Sequence, residues 1–358
     1  MKILNELSYA NENKNALIDF YINGYSSDIV NEVTILNNNK KVIFEPKQFS
    51  QFTLKLDEAS VVYPNIIISK KNELIDINNG YTTTELVDHK VNGFPITRSN
   101  KYYDIKIPDK VYRISKCVYL SALGFANFLL GEAPRLEKYT RFIKQNFKVI
   151  LHGNAKAFHF EILKSLGLSK SNLICIPQDV AVISKEMIHV TPTYLHNTTA
   201  YNAIDFLKTK LKDISNKNIK SKDRVYLSRA KLGINSDRYI TNENDFENFL
   251  IKRDFEIIYP EKMTVVDQIN ACKNADILIS PFGSAWSNCI LRKPNSKSLM
   301  LGTKFSLEYA RLFQYLDENL SLIQLKPIKY RDEKNFSKSH KFTITENDFN
   351  LIENYISK

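Results

Sequence analysis

The sequence predicts an α/β protein with a β-rich N-terminal region. Three observations carry that expectation. Short β-branched runs dominate residues 1 to about 115. From about 118 onward, strand-length apolar runs alternate with helix-length segments. Beyond Arg224 the alternation is regular, which is the pattern of a doubly wound parallel sheet.

The N-terminal strands are Val33-Thr34-Ile35-Leu36, Lys41-Val42-Ile43-Phe44 and Val61 to Ser69. Turns such as Asn37-Asn38-Asn39 and Asn78-Asn79-Gly80 separate them. Leu120 to Asn146 reads as helix, Lys148 to Leu151 as strand, and Phe158 to Leu166 as a helix that Gly167 stops. Leu173 to Ile176 and Val180 to Ile183 read as strands. The polar, basic stretch 208–224 reads as a helix end and linker. After it come helix Glu243–Lys252, strand Phe255–Ile258, helix Val265–Lys273 and strand Asp276–Ser280. A helix from Ser284 to Leu291, strand Ser298–Leu301 and an amphipathic helix Glu346–Ile356 follow. The expected domains are a β-rich region 1–115, an α/β domain 116–215, a Rossmann-like domain 216–335 and a C-terminal helix 336–358.

With 358 residues, 43% hydrophobic and 11% aromatic, the chain has material for two cores and is not disordered. Cys117, Cys175, Cys272 and Cys289 form no CxxC pair. Cys175 and Cys289 lie beside or within apolar runs and read as core thiols. A reducing, cytoplasmic compartment is expected. The first residues lack the apolar core of a signal peptide, and Val118 to Gly131 is too short to span a bilayer, so no membrane anchor is expected. The net charge of +11 suits anionic partners such as nucleotide sugars, lipid pyrophosphates or the inner face of a membrane. No nucleic-acid motif accompanies that charge, so nucleic acid is not an expected partner.

One stretch concentrates the chemistry. Strand Val225-Tyr226-Leu227 ends in Ser228-Arg229. Strand Ala275 to Ser280 runs into Pro281-Phe282-Gly283-Ser284-Ala285. A buried strand that breaks into small residues and then a helix presents backbone N–H groups to phosphate. Gly283, Ser284 and Ala285 let a phosphate approach closely, with Ser284 also able to cap the helix and Asn288 one turn on. Arg229, past a strand end, chelates phosphate oxygens or forms a surface ion pair. Arg238 adds charge or flanks a helix. Asn242 and Glu243 cap the next helix or touch the nucleotide. Trp286 fits core packing better than stacking on a ligand.

These segments resemble glycosyltransferase family 61. Arg224 to Arg229, Arg238 and Asn242-Glu243 resemble its Y-I-S-R…R…N-E signature. Ile258-Tyr259-Pro260-Glu261 and Val266-Asp267-Gln268 fit its next block. Asp276 to Asn288 is similar to its P-H-G-A-A-x-x-N block. Asn127 to Leu136 looks like its H-F-x-x-x-E-x-P-R-L block. The likeness covers about residues 115 to 305, and two family histidines are replaced, by Asn127 and Phe282. The resemblance implies a GT-B fold: two Rossmann-like domains facing a cleft, the C-terminal one for a nucleotide-sugar donor and the N-terminal one for a glycan or lipid-linked glycan acceptor. It implies an inverting transferase of bacterial surface polysaccharide, capsule or lipopolysaccharide.

Inversion needs a base for the acceptor hydroxyl. Glu132 is one candidate, and an ion pair with Arg135 is its alternative role. His152, expected in a loop after a strand with a near-neutral pKa, is another. His159 reads as structural. Asn127 and His196 are candidate acceptor contacts. There is no Asp-x-Asp motif and no metal-spaced Cys or His cluster, so no metal is expected and the nucleotide sugar is a co-substrate rather than a cofactor. Two rival readings share the scaffold: a nucleotide-sugar epimerase, and a non-catalytic nucleotide- or glycan-binding subunit.

Overall fold

The computed structural model describes residues 2–5, 13, 17–23, 31–38, 40–44, 49–62, 66–71, 73–76, 96–99, 102–105, 107–195, 198–199, 201–212, 222–232, 240–302, 313, 316–317, 319–330 and 340–357. The chain is α/β and divides into two compact units. One comprises Met1–Gly24 and Gln48–Phe206, the other Tyr25–Lys47 and Leu207–Lys358.

The first unit is built on a nine-stranded sheet. The strands that position the site are β1 (Phe49–Val62), β2 (Val111–Ser121), β3 (Lys148–His152), β4 (Leu173–Ile176) and β5 (Ala181–Val190). The spatial order is β1-β5-β2-β3-β4. Strands β5, β2, β3 and β4 are parallel neighbours, and β1 runs antiparallel to β5. The remaining strands, Lys2–Asn5, Glu73–Asp76, Ile66–Ile68 and Leu17–Asn23, extend the sheet on the β1 side. Residues 1–115 are therefore not a separate body. Strand β2 runs through the expected boundary at 115, because Val118, Tyr119 and Leu120 continue its buried run.

The helix expected from Leu120 starts instead at Phe125 and changes pitch. A short α-turn, Phe125–Asn127, leads into a π-turn, Phe128–Glu132, and a 3₁₀ turn, Ala133–Arg135. Then comes α1 (Leu136–Ile143). Pro134 causes the break, since it has no N–H to offer the carbonyl of Leu130. Thr193 supplies that bond from outside, its Oγ1 donating to Leu130 O at 2.6 Å. Helix α2 (Ala157–Ser165) ends at Gly167, whose φ of +89° is one that glycine adopts freely.

The second unit is a seven-stranded sheet. Its strands include β6 (Arg224–Leu227), β7 (Glu256–Ile258), β8 (Ile277–Pro281), β9 (Lys297–Gly302) and β10 (Leu320–Gln324). They lie in the order β7-β6-β8-β9-β10, all parallel. Helix α3 (Glu243–Ile251) connects β6 to β7, and α4 (Val265–Asn274) connects β7 to β8. The sheet is finished by an early hairpin, Asn31–Ile35 with Lys40–Phe44, which adds to β10. The C-terminal helix Glu346–Ser357 is not separate either. Its Ile352 and Ile356 enter the same core as Ile277, Ile279, Leu299 and Leu301. The segment expected as a helix at 284–291 is a 3₁₀ helix. Cys117, Cys272 and Cys289 are buried, but Cys175 is exposed, contrary to expectation, because it lies on the outermost strand, β4.

Candidate active site

The strand order of the second unit fixes where a ligand fits. From β6 the chain crosses to β7 on one side, then returns past β6 to β8 and continues to β9 on the other. The order reverses between β6 and β8, and in open α/β sheets ligands bind outside the carboxyl ends of the strands at such a point. Arg229 follows the end of β6, and Gly283-Ser284-Ala285 follow the end of β8. The two ends are tied together, with Ser280 Oγ donating to Leu227 O at 3.2 Å.

Each flank of this edge is braced by the unit's own side chains. Glu243, at the start of α3, is buried, and its Oε1 accepts from Tyr226 Oη at 2.8 Å, Ser228 Oγ at 3.0 Å and the Arg229 N–H at 2.7 Å. Glu247, one helical turn on, accepts from Ser228 Oγ at 2.6 Å and Tyr259 Oη at 3.1 Å. Burial raises the Glu243 carboxyl above the ordinary range. Glu243 thus anchors the Ser228–Arg229 turn. Asn242 occupies the N-cap position without a side-chain cap and instead pairs with the backbone of Ile344 in both directions, at 2.9 and 3.0 Å. Its amide is thus engaged by the short segment between the last strand and the last helix rather than by capping its own helix.

On the β8 side, Gly283 is buried, Ala285 half-buried and Ser284 exposed. Gly283, not Ser284, takes the N-cap position of the 3₁₀ helix, and no side chain caps it. The first N–H groups of a helix have no partner within it and face whatever approaches. Trp286 is fully buried, its Nε1 donating to Pro281 O at 3.1 Å, so it packs rather than stacks on a ligand. Phe282 is buried beside Phe313. Asn288 is buried, and its Nδ2 donates to Gln268 Oε1 at 2.9 Å. Gln268 in turn holds the carbonyl of Pro260 at 2.8 Å. Asn288 therefore braces the bend from below.

Arg229 is half-buried at this edge. Lys231 and Lys262, both exposed, lie over the Tyr259 ring at 5.3 and 5.7 Å. The sequence pattern singles out neither these two lysines nor Glu247. The spacing of Glu247 from Glu243, one helical turn, is the signal that would have found it. Arg238 lies outside the described residues, as does His196.

In the first unit the chain order also reverses, between β2 and β5, and there the edge is filled by charged side chains of the unit itself. Glu132 Oε2 accepts from the Ser121 N–H at 2.8 Å and from Arg135 Nη1 at 2.7 Å. Arg135 Nη2 donates to Tyr139 Oη at 2.7 Å and meets His189 Nδ1 at 3.1 Å. Tyr139 Oη also donates to Tyr119 O and accepts from the Val190 N–H, bridging β2 and β5. Glu132, Arg135 and His189 are all fully buried. Burial and the neighbouring Arg135 charge push His189 well below the ordinary histidine range. Glu132 and Arg135 thus take the ion-pair arrangement and hold two strand ends together.

His152 is not in a loop. It is the last residue of β3, fully buried, with Nδ1 2.9 Å from Tyr119 Oη. Burial pushes its pKa down to about 4, so the near-neutral value expected for a base is not found. Asn127, by contrast, is exposed. Among the described residues, no three His, Cys, Asp or Glu side chains gather as metal ligands, and no helix is long and apolar enough to cross a membrane.

The sequence matches the family Glycosyltransferase 61 over residues 64–299, more than half of the chain. The chain belongs to glycosyltransferase family 61. No curated protein matches it. The family match runs across both units, from before β2 to within β9, so it takes in both edges described above. Within the matched range two pairs of these residues bond to one another, Ser228 with Glu243 and Gln268 with Asn288.

Proposed function

We propose that this family 61 glycosyltransferase takes a sugar from a nucleotide-sugar donor held by the second unit and passes it, with inversion, to an acceptor held by the first. One observation carries the donor half. Arg229 and the Gly283–Ala285 bend follow neighbouring parallel strands at the point where the strand order reverses. A leaving nucleoside diphosphate gathers negative charge as the glycosidic bond breaks. The Arg229 guanidinium, the free N–H groups of the bend and the nearby Lys231 and Lys262 oppose that charge. In this reading they do the neutralising that a divalent ion does elsewhere. Arg238 and Ser284 are assigned to the same donor site. Glu132, Arg135, Glu243 and Asn288 keep the two edges in place.

By family analogy the two units serve as the halves of a GT-B enzyme. The acceptor is assigned to a growing bacterial surface glycan, capsule or lipopolysaccharide, in the cytoplasm. A net charge of +11 suits peripheral contact with an anionic membrane face. The replacement of the family histidines by Asn127 and Phe282 favours a second reading, a binding subunit that holds donor without turnover.

The test is a thermal-shift screen of UDP-, GDP-, CMP- and ADP-sugars on the wild type and on Arg229→Ala. A ligand at a hundredfold excess over Kd stabilises the folded state by about 2.7 kcal/mol. The expected result is a shift with one nucleotide class that Arg229→Ala loses. No shift in the wild type, or an equal shift in the variant, overturns the donor site. Donor binding without product across a range of acceptors favours the second reading.

A further inference from the structure

The loops that follow β2 and β3 leave the first unit's sheet side by side. Ser121 pairs with His152 in register, and the Ala122 N–H donates to His152 O at 2.8 Å. His159, buried at the start of α2, clamps the two loops. Its Nδ1 accepts the Lys156 N–H at 2.8 Å, and its Nε2 donates to Leu123 O at 2.8 Å. The imidazole stacks on Phe158 with centroids 4.0 Å apart and meets the buried Phe128 ring at 4.5 Å. Phe125, from the other loop, stands edge-on to Phe158 at 5.3 Å.

Phe125 and Phe158 are only half-buried, although their neighbour Phe128 is fully buried. Exposed Asn127 follows Phe125 by two residues, and exposed Asn154 and Lys156 precede Phe158 by four and two. The space outside the loop is open, since a Cβ placed on Gly124 would meet no heavy atom within 4 Å. Two half-buried aromatic rings in mutual contact, with two exposed asparagines on the same loops, lie at the carboxyl edge of parallel strands, where α/β proteins bind small ligands.

We propose that Phe125 and Phe158 form a ledge on which a pyranose ring of the acceptor saccharide stacks, with Asn127 bonding its hydroxyls. This rests on the reading of the first unit as the acceptor side. A pyranose has an apolar C–H face and a polar rim, which matches aromatic rings with amides on the same loops. A diphosphate would call for arginines and free N–H groups, as at the second unit's edge. A protein partner would need roughly 800 Å² on this side, and two half-buried rings offer far less.

The probes are methyl glycosides of glucose, galactose, mannose and N-acetylglucosamine, with lactose, maltose and chitobiose. Binding is read by saturation-transfer NMR on the full chain. Phe125→Ala should lose at least tenfold of the signal from whichever saccharide binds the wild type. Phe125→Tyr should keep it, and Asn127→Ala should weaken it. Circular dichroism and an unchanged nucleotide-induced shift show that the variants are folded and the donor site intact. Equal signals in Phe125→Ala and wild type overturn the ledge, and so does the absence of any saccharide signal in the wild type. Failure of the donor reading shows separately, as loss of the nucleotide shift in the wild type.

Discussion

Glu243 receives the backbone N–H of Arg229 at 2.7 Å, so a buried carboxylate sets where that arginine leaves its strand. The same oxygen takes the hydroxyls of Tyr226 and Ser228. Glu243→Leu strands two donors, the Tyr226 hydroxyl and the Arg229 N–H, since Ser228 keeps Glu247; each costs about 1–3 kcal/mol when buried and unsatisfied. Urea unfolding should show a loss of roughly 2 kcal/mol or more, and the nucleotide-induced shift should vanish. Glu243→Gln keeps an oxygen in place and removes a charge that burial already disfavours. It should unfold within about 1 kcal/mol of wild type and still respond to nucleotide.

The Glu132–Arg135 pair is fully enclosed, with side-chain exposures of 1% and 0%. Removing one partner leaves a buried charge uncompensated, at about 3–5 kcal/mol. A urea double-mutant cycle should find Glu132→Met with Arg135→Leu well short of the sum of the single losses. Additive losses would mean that the two side chains do not act as a pair.

Acid should destabilise the protein from about pH 6.5 downward. His152 has a folded pKa of about 4 against an ordinary value of 6.5. Between these values the unfolded chain binds the extra proton, so stability rises with pH through the window and levels off above it. The contribution is about 3 kcal/mol, since one pKa unit is worth about 1.4. His159 and His189 are lowered as well and act in the same direction. Unfolding midpoints from pH 4 to 7 should give a shallower slope for His152→Phe than for wild type.

Arg292 is the buried staple of the second unit. Its guanidinium reaches Asp317 at 3.2 Å and the carbonyls of Cys272 at 2.7 Å and Lys297 at 3.0 Å, with Ala275 and Ser298 beside them. An ammonium cannot reproduce that fork. Arg292→Lys should lose about 2 kcal/mol or more, seen as a drop of several degrees in Tm.

Most elements of the second unit were legible, because each strand there is a short apolar run and each helix has a clear period. Helix Val265–Asn274 even begins with a Thr264 side-chain cap. The boundaries in the first half were not legible. Strand β2 crosses the expected one, since its buried end reads equally as the start of a helix. That Arg229 and the Gly283–Ala285 bend follow strand ends is legible in short apolar runs and small residues, which are local signals. The enclosure of Glu132 and His152 was hidden for the opposite reason. It depends on which strands lie side by side, and no window of sequence holds that. Glu243 and Asn288 show the same limit, because their hydrogen-bond partners sit on other elements.

The early hairpin has a consequence for how the second unit is made. Thr34 and Ile35 pair with Ser321 and Leu322 across almost the whole length of the chain. During translation the hairpin waits for nearly every later residue to emerge before it finds its seat, and contacts of such long separation slow folding. A recombinant fragment beginning at Leu207 would lack that hairpin altogether. It would present Leu320–Gln324 as a bare edge, open to pairing with another molecule's strand and so to aggregation.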